Sequence, residues 1–460
     1  MKNIKLAYLG GGSKEWAYVF MNDLALADGL GGEIALYDID LDAARLNQTL
    51  GTMISSHPDA KSKWEYNVYS DLDTALKGAD FVAISILPGT FKEMESDVHA
   101  PEAYGIYQTV GDTTGPGGVL RSMRTVPIYE EFARAIKRNC PDAWVLNFTN
   151  PMSICVHTLY DVFPKIKAFG CCHEVFHTQN FLCKVLAELK GIEVKRDEIF
   201  TDVAGINHFT WVTEAKYQDI DLLSLLAPFM DKFPGGYNER GAVDAYKSDP
   251  FQSANLVKLD LFKRYGVLGA AGDRHLVEFV DSNWYLKDSD MIASFKFART
   301  PVSFRIEKRE KRIKNLHSIR DMKLPLEVQR STEEAVDLMQ ALMGRKKLVS
   351  NVNLPNRGQM PEFPLGAIVE TNAVFFQNSV SPVVSKALPE AVKAMVLTHI
   401  HNVEELYQGI KTRNLQQIFR AFLHQPLCAN LRVEEAEALF QKMIARTKTY
   451  LEPYFDINSF

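Results

Sequence analysis

The sequence predicts an α/β fold in which a doubly wound parallel sheet is followed by a helix-rich α+β domain. Short, almost continuously apolar segments alternate with helical segments up to about residue 191, and a different pattern follows. Such alternation is typical of a parallel sheet covered by helices on both faces. A chain of 460 residues is also too long for a single core. We therefore expect a first domain over residues 1–191 and a second over 192–460.

The elements of the first domain follow in order. NIKLAYLGGGS is a strand that reaches a glycine cluster, and WAYVFMNDLALAD carries apolar residues at helical spacing. Further helices are predicted for LDAARLNQTLGTMI and VPIYEEFARAIKRN. Further strands of the sheet are predicted for GEIALYDID, ADFVAISIL, DAWVLNFTNP and IKAFGCCHE.

The second domain shows a different pattern. EIFTDVAGINHFTWVTEAKY is typical of a β-meander, and helices dominate from there to the end. Residues 387–455 are predicted to be wholly helical, with His399 on their apolar stripe. We interpret His399 as a hydrogen-bonded core histidine rather than a ligand.

Composition excludes several classes of protein. The net charge is −5, and the 52 lysines and arginines are scattered without a long basic stripe, so nucleic acid is not an expected partner. No apolar run of about 18 residues occurs, so no membrane span is expected. The six cysteines are too sparse for a disulfide framework, which favours a cytoplasmic location.

The first strand, glycine turn and helix form a candidate dinucleotide site of the Rossmann type. Gly10, Gly11, Gly12 and Ser13 supply a turn of low bulk, although the full G-x-G-x-x-G pattern is absent. Asp38 ends the second strand, where an acid accepts hydrogen bonds from the ribose hydroxyls of NAD and repels the extra phosphate of NADP. NAD is the favoured cofactor. The alternative is a tight turn with Asp38 as a helix cap.

Three polar segments follow predicted strands, where ligands of such folds bind. They are TVGDTTGPGG, NFTNP and GCCHE, at residues 109–118, 147–151 and 170–174. A cysteine of the last segment and His208 of GINHF are donors that suit a borderline divalent cation in an open site. The alternative is that the two cysteines and His208 are ordinary buried residues, and spacing alone leaves both possibilities open.

The segments YLGGGS, GDTTGPGG, NFTNPM, CHEV and GINHF, in this order, resemble glycoside hydrolase family 4. Members are NAD- and manganese-dependent glycosidases with a fold akin to lactate and malate dehydrogenases. The matching segments span residues 6 to about 280. Cys172-His173-Glu174-Val175 resembles the α-galacturonidase subgroup. The resemblance thus implies hydrolysis of α-galacturonides, with NAD and Mn²⁺ as cofactors and a homodimer or homotetramer as the assembly.

The resemblance also implies roles for particular residues. Cys172 and His208 become the metal ligands, Asn150 a substrate-hydroxyl contact and Asp112 the general acid. The implied reaction oxidises C3 of the sugar, removes the C2 proton, expels the aglycone, adds water and returns the hydride. For the base, the resemblance points to GAAGDRHLVEF; we choose Asp273, with Tyr265 as the fallback.

A uronide adds a carboxylate, so its pocket is expected to hold cations or strong donors. We expect substrate contacts from His173, Glu174, Arg274 and His275, although an acid such as Glu174 repels a uronate unless it bonds a hydroxyl or orients a cation. Arg121 and Arg124 follow the acid loop and are further candidates for the same carboxylate.

Alternative functions remain open from sequence. Within family 4 they are α-glucuronidase and α-galactosidase. Outside it, the fold is shared with NAD-dependent 2-hydroxyacid dehydrogenases, which need no metal. A redox sensor that uses Cys171 and Cys172 is disfavoured because adjacent cysteines form only a strained disulfide.

Overall fold

The computed structural model describes residues 3–457 and Phe460. The first part of the chain alternates strands and helices, as predicted. Its strands are β1 (Ile4–Leu9), β2 (Gly31–Tyr37), β3 (Lys63–Tyr69), β4 (Phe81–Ile84), β5 (Trp144–Asn147) and β6 (Lys167–Gly170). Its helices are α1 (Trp16–Leu26), α2 (Leu41–Ser55), α3 (Leu72–Leu76), α4 (Phe91–His99), α5 (Gly115–Asn139), α6 (Met152–Val162) and α7 (Glu174–Lys190).

The second part begins with a hairpin and ends in helices. Its strands are β7 (Phe200–Ile206), β8 (Phe209–Tyr217), β9 (Ile220–Asp221), β10 (Leu268–Gly269), β11 (Leu348–Pro355), β12 (Ile368–Phe376) and β13 (Ser379–Pro382). Its helices are α8 (Leu226–Lys232), α9 (Leu256–Tyr265), α10 (Asp273–Leu276), α11 (Ser282–Tyr285), α12 (Ser289–Ser294), α13 (Val302–Arg320), α14 (Ala335–Leu342), α15 (Glu390–Lys411), α16 (Leu415–Leu423), α17 (Val433–Arg446) and α18 (Lys448–Leu451).

The six strands of the first part form a parallel sheet in the order β3-β2-β1-β4-β5-β6. This is the order of a doubly wound dinucleotide-binding fold, so the predicted fold class is confirmed. β3 was not predicted from the sequence. Its sequence KWEYNVY mixes charged and aromatic residues because the strand lies at the edge of the sheet and is only partly buried.

The sheet does not stop near residue 191. β6 pairs antiparallel with β11 through one register pair, Asn353 and Gly170, and the order continues through β12, β7, β8 and β10. The carboxyl end of β6 therefore meets strands from the second part of the chain. The division into domains at residue 191 stays a prediction.

Side chains of β1 alternate between two cores. Leu6 and Tyr8 pack with α1 and α2 on one face, whereas Ala7 and Leu9 pack with α5 and α6 on the other. Both faces of the parallel sheet are thus buried, which explains why its central strands are apolar throughout.

The helical prediction for the end of the chain is confirmed by α15 to α18. His399 is buried, and its Nε2 lies 2.7 Å from the carbonyl oxygen of Phe279, as expected of a core histidine. Burial lowers the pKa of His399 to about 4, which keeps it neutral. Within the described residues, no helix combines the length and the apolar character that crossing a membrane requires.

Candidate active site

The glycine loop after β1 fits closely against its neighbours. A Cβ on Gly10 would lie 2.0 Å from the carbonyl oxygen of Ser85, and one on Gly11 would lie 2.8 Å from the backbone of Leu36. Gly10 also has a φ of 97°, which disfavours other residues. The loop therefore requires glycine, and without side chains there it lets a ligand approach the backbone closely at the carboxyl edge of the sheet.

The N–H groups of the loop bond within the chain. Gly10 and Gly11 donate to the carbonyl oxygen of Tyr37, and Ser13 donates to that of Gly10. Gly12 donates to Asp38 Oδ2 at 2.8 Å. These N–H groups are therefore already paired and are not free to bind an anion. The start of α1 lies directly beyond the loop and remains a place for a phosphate.

Asp38 follows β2, as predicted, and is partly exposed. Its two oxygens each accept one backbone N–H, from Gly12 at 2.8 Å and Asp40 at 2.9 Å. A carboxylate has about four acceptor positions, so two remain for the hydroxyls of a ribose. The position and capacity of Asp38 suit the role expected for it.

The two expected metal ligands lie at the junction of the two parts of the sheet. Cys172 follows β6, and His208 forms the turn between β7 and β8 with a φ of 65°. Burial raises the pKa of the Cys172 thiol well above its ordinary value, and the carboxylates of Glu370 and Glu174 add to this effect. A divalent cation reverses this balance, because it stabilises the thiolate directly.

Hydrogen bonds define the tautomer of His208. Thr113 Oγ1 donates to Asp112 Oδ1 at 2.8 Å and lies 3.1 Å from His208 Nδ1. Because the hydroxyl has one proton, Nδ1–H must donate to Thr113, which leaves Nε2 as a lone-pair donor. Burial, with His275 nearby, lowers the pKa of His208 to about 3, so the ring is neutral, as a metal ligand must be.

The loop that carries Asp112 is fixed by Glu278, a residue that the sequence analysis missed. Glu278 is buried, and its Oε1 accepts the N–H groups of Thr109, Val110 and Gly111 at 2.6, 2.7 and 3.0 Å. Glu278 belongs to the same DRHLVEF segment as Asp273. An acid between apolar residues, directly after Leu276-Val277 and before Phe279, was the available signal.

Positive charge surrounds Asp112. Burial favours the neutral carboxyl, but the guanidinium groups of Arg121 and Arg305 outweigh that effect and hold the pKa of Asp112 well below its ordinary value. The free protein therefore carries Asp112 as an anion.

The start of α5, directly after the acid loop, is supported from far along the chain. Thr114, the residue before α5, donates its hydroxyl to Gln425 Oε1 at 3.0 Å, and the N–H of Gly115 donates to the same oxygen at 3.0 Å. The C-terminal helices thus help to fix the acid loop.

The two candidates for the base occupy different environments. Asp273 is fully buried and accepts N–H groups of Val257 and Lys258 at 3.3 and 3.0 Å, at the start of α9. Burial raises the pKa of Asp273 to about 6, against the charge of Lys258. Tyr265 ends α9 and packs against Trp211. Val257, to which Asp273 bonds, and Tyr265 are eight residues apart on α9, which corresponds to roughly 12 Å along the helix axis.

Glu174 is held by two imidazole rings and a backbone N–H, so it can orient a neighbouring side chain, as is expected of an acid near a uronate. Its Oε1 lies 3.4 Å from His275 Nε2 and 3.9 Å from His173 Nε2, and its Oε2 accepts the N–H of Gly272 at 2.7 Å. The ring of His275 in turn lies 4.0 Å from that of His208. Glu174 thus orients His275 beside the expected metal ligand.

His173, Glu174 and His177 offer ligand atoms that all lie within 4.8 Å of one another, so this group is a further candidate for holding a cation. His173 Nδ1 also lies 3.5 Å from a carboxylate oxygen of Glu333.

The remaining predicted residues divide into two groups. Arg121 Nε donates to the carbonyl oxygen of Asn150 at 3.0 Å, and Asn150 Oδ1 is buried with no partner in the described chain, which suits a ligand contact. Arg124 instead forms a buried salt bridge with Asp97 through both oxygens. Arg124 is therefore occupied and does not serve an incoming carboxylate.

Polar residues of β11 and β12 were also missed by sequence reasoning. Glu370 is buried and accepts from Thr210 and Asn351 at 2.7 Å each. Asn351 also reaches the carbonyl oxygen of Cys172 at 3.3 Å. Asn353, two residues on, shares that face of β11. Two asparagines at period two in a buried strand were the available signal.

Fold and site together define an α/β enzyme of the dinucleotide-binding type with a candidate divalent-metal centre. The chain belongs to glycosyl hydrolase family 4. The model of the family 4 glycosyl hydrolases matches residues 5–188, and the model of their C-terminal domain matches residues 203–428. The resemblance stated from the sequence is confirmed.

Individual relatives extend this finding. The chain is 49% identical to an alpha-galacturonidase of Thermoanaerobacter italicus, with 98% of each chain covered. It is similar to the crystal structure of lplD from Bacillus subtilis, with a TM-score of 0.91, 44% identity and 96% and 99% of the two chains covered. A 6-phospho-alpha-glucosidase from gut microorganisms, solved with NAD and Mn²⁺, shares the fold at a TM-score of 0.80 and 18% identity over 98% and 99% of the chains.

Proposed function

We propose that this glycoside hydrolase cleaves α-galacturonides, with NAD and Mn²⁺ as its cofactors. The choice of galacturonide as the substrate rests on relatives that are alpha-galacturonidases and are 44% to 49% identical to this chain over nearly its whole length. The observation that supports the metal-dependent chemistry is the neutral imidazole of His208, whose Nε2 is available as a donor, and the second ligand that we assign is the buried thiol of Cys172.

The described residues fit both cofactors. The glycine loop forms a cradle that a Cβ would fill, and Asp38 retains two acceptor positions for ribose hydroxyls. Cys172 and His208 supply the soft and borderline donors of a transition-metal site. When bound, NAD⁺ supplies a hydride acceptor and Mn²⁺ a Lewis acid, as the oxidation, elimination, addition and reduction of the family requires.

Two carboxylates of the chain are assigned to proton transfers. Asp112 protonates the glycosidic oxygen, on a loop that Glu278 holds in place through three N–H groups. Asp273 removes the proton from C2, since its pKa near 6 leaves it ionised yet basic at neutral pH. Asp112 must gain a proton before it acts, and an anionic substrate favours this because it offsets the surrounding positive charge.

Substrate contacts are assigned to five residues. Asn150 bonds a sugar hydroxyl through its unpartnered Oδ1. His173, Glu174, Arg274 and His275 contact the uronide, with Glu174 holding His275 in place.

The proposal also covers the location, the oligomeric state and the domain division of the protein. We place the protein in the cytoplasm, supported by six free cysteines. We expect a homodimer or homotetramer. We also divide the chain at residue 191 into an NAD-binding domain and a domain that completes the active site, a division that the two matched ranges support.

Parallel assays test the function. The purified protein is given p-nitrophenyl α-D-galacturonide, α-D-glucuronide and α-D-galactoside with NAD⁺, Mn²⁺ and a thiol reductant, and each cofactor is omitted in turn. We expect release from the galacturonide alone, no release without either cofactor, and no net NADH. Release from another glycoside overturns the choice of sugar. Stoichiometric NADH without release favours the dehydrogenase.

A further inference from the structure

Three cations from two helices surround the ring of Phe251. The guanidinium carbon of Arg274 lies 4.6 Å from the ring centroid, that of Arg305 lies 5.7 Å away, and Lys308 Nζ lies 4.4 Å away. Arg274 belongs to α10, whereas Arg305 and Lys308 are one turn apart on α13. We call these three side chains the Phe251 cation cluster.

Asp112, Glu174 and Glu278 lie near enough to act on Arg274, but no carboxylate is in salt-bridge contact with either guanidinium group of the cluster within the described residues. Within residues 3–457, neither Arg274 nor Arg305 forms a salt bridge, and Lys308 has one, to Glu15 at 3.4 Å. Arg305 Nε is buried without a hydrogen-bond partner among the described residues. Arg274 reaches only the hydroxyl of Thr300, at 3.4 Å. Cations held this close to each other repel, so the arrangement favours an anion between them.

The cluster borders the proposed active site. Arg305 is one of the charges that hold the pKa of Asp112 low. The charge of Arg274 likewise helps to lower the pKa of His208 and that of Glu174. Arg274 also lies next in sequence to Asp273 and His275. An anion at the cluster therefore lies beside the sugar on which these groups act.

We propose that Arg305, together with Arg274, binds a carboxylate of the uronide substrate and thereby distinguishes it from a neutral glycoside. The inference deepens the proposed function and rests on it. A guanidinium offers two parallel N–H donors that match the two oxygens of a carboxylate. Phe251 helps to orient the two guanidinium groups and leaves their charge unchanged, because an aromatic ring attracts a cation but carries no negative charge to neutralise it.

In a galacturonide chain, two carboxylates are candidates for binding to Arg305 and Arg274. One belongs to the sugar that is cleaved, and the other to the sugar at its reducing side. p-Nitrophenyl α-D-galacturonide carries only the first, whereas α-1,4-digalacturonate carries both, so the two substrates identify which carboxylate is bound.

The test variant is Arg305→Met, which keeps an unbranched apolar stem against Phe251 and removes the donors. The control is Lys311→Met, which removes a charge from an exposed position of α13. Both proteins are assayed with NAD⁺ and Mn²⁺. For Arg305→Met we expect KM for the galacturonides to rise about 30-fold with kcat within about threefold, because a lost charge-assisted bond weakens binding. Arg305→Lys is expected to recover part of the loss.

The pattern of KM assigns the carboxylate. A rise with both substrates identifies the cleaved sugar, and a rise with digalacturonate alone identifies its neighbour. An unchanged KM with both, or an equal rise in Lys311→Met, overturns the proposal. Circular dichroism and thermal unfolding check that Arg305→Met is folded; should it not be, Arg274→Met is measured in its place.

Calorimetric titration of free D-galacturonate into the NAD⁺-loaded protein separates this inference from the proposed function. Binding that Arg305→Met weakens, in a protein that cleaves no galacturonide, upholds the carboxylate site and rejects the function. Cleavage of galacturonides with normal KM and normal galacturonate affinity in Arg305→Met rejects the site and upholds the function.

Discussion

The cofactor end and the chemical end of this site are built in different ways. The glycine loop and Asp38 lie within 28 residues of each other, and their contacts come from neighbouring strands of the parallel sheet. The residues proposed for the chemical end, Asp112, Cys172, His208 and Asp273, come from separate elements, and Glu278 reaches back 168 residues to hold Val110. One end is local in sequence, whereas the other depends on contacts across the whole chain.

The difference shows that the cofactor site and the chemical site depend on different parts of the fold. A short glycine segment with an acid after the next strand is sufficient to form a dinucleotide cradle, because β1 and β2 are fixed side by side. The chemical end needs the sheet to extend beyond β6, because His208 and Glu370 come from strands of the second part. Substitutions at the two ends should therefore separate cofactor binding from turnover.

The largest effect is expected at the chemical end. Cys172→Ser should lower kcat by at least about 10³-fold, since a Lewis-acid metal supplies several kcal/mol of transition-state stabilisation. Mn²⁺ binding, followed by electron paramagnetic resonance, should weaken in parallel, while the Kd for NAD⁺ stays within about threefold of wild type. Cys171→Ser is the matched control and should remain active. Full manganese-dependent turnover in Cys172→Ser would show that Cys172 is not an essential metal ligand.

A smaller effect is expected at the base. Asp273→Asn should lower kcat by about 10²-fold and abolish exchange of the C2 proton with deuterated water, whereas Tyr265→Phe should preserve both. In wild type the rate should fall as the pH drops through about 6, because a base acts as its carboxylate and burial raises the pKa of Asp273. Exchange that survives in Asp273→Asn but not in Tyr265→Phe would transfer the role to the tyrosine.

The smallest effect is expected at the cofactor end. Asp38→Ala should raise KM for NAD⁺ about 10- to 30-fold, as the loss of hydrogen bonds to a charged group costs about 1.5–2 kcal/mol, with kcat at saturation unchanged. Asp40→Ala is the control, because Asp40 caps α2 by accepting the N–H of Ala43. It should lower stability by about 1 kcal/mol without changing KM for NAD⁺. An equal KM for Asp38→Ala and wild type contradicts the ribose role.

Much of this molecule is predictable from sequence where local pattern governs structure. The central parallel strands, the glycine turn and the terminal helices follow from apolar periodicity, and His399 follows from its place on an apolar stripe. The edge strand β3 was missed because it is only half buried and alternates polar and apolar residues, without the continuous apolar run of the central strands. Motif resemblance, rather than spacing, was needed to choose Cys172 over Cys171.

The supporting residues of the site were not predictable in this way. Glu278 and Gln425 act on backbone N–H groups far away in sequence, and nothing local distinguishes them from other polar residues. Arg305 lies on a helix that is charged along most of its length, so its buried Nε becomes apparent only when α13 is seen against Phe251. Contacts of this kind depend on the packing of distant segments.

The contact between Gln425 and the start of α5 has a consequence for synthesis of the protein. The hydroxyl of Thr114 bonds a side chain that lies 311 residues later in the chain. A ribosome releases the glycine cradle early, but the support for the acid loop is made only after the C-terminal helices have begun to emerge. The nascent chain can therefore acquire its nucleotide fold well before it acquires a completed acid loop.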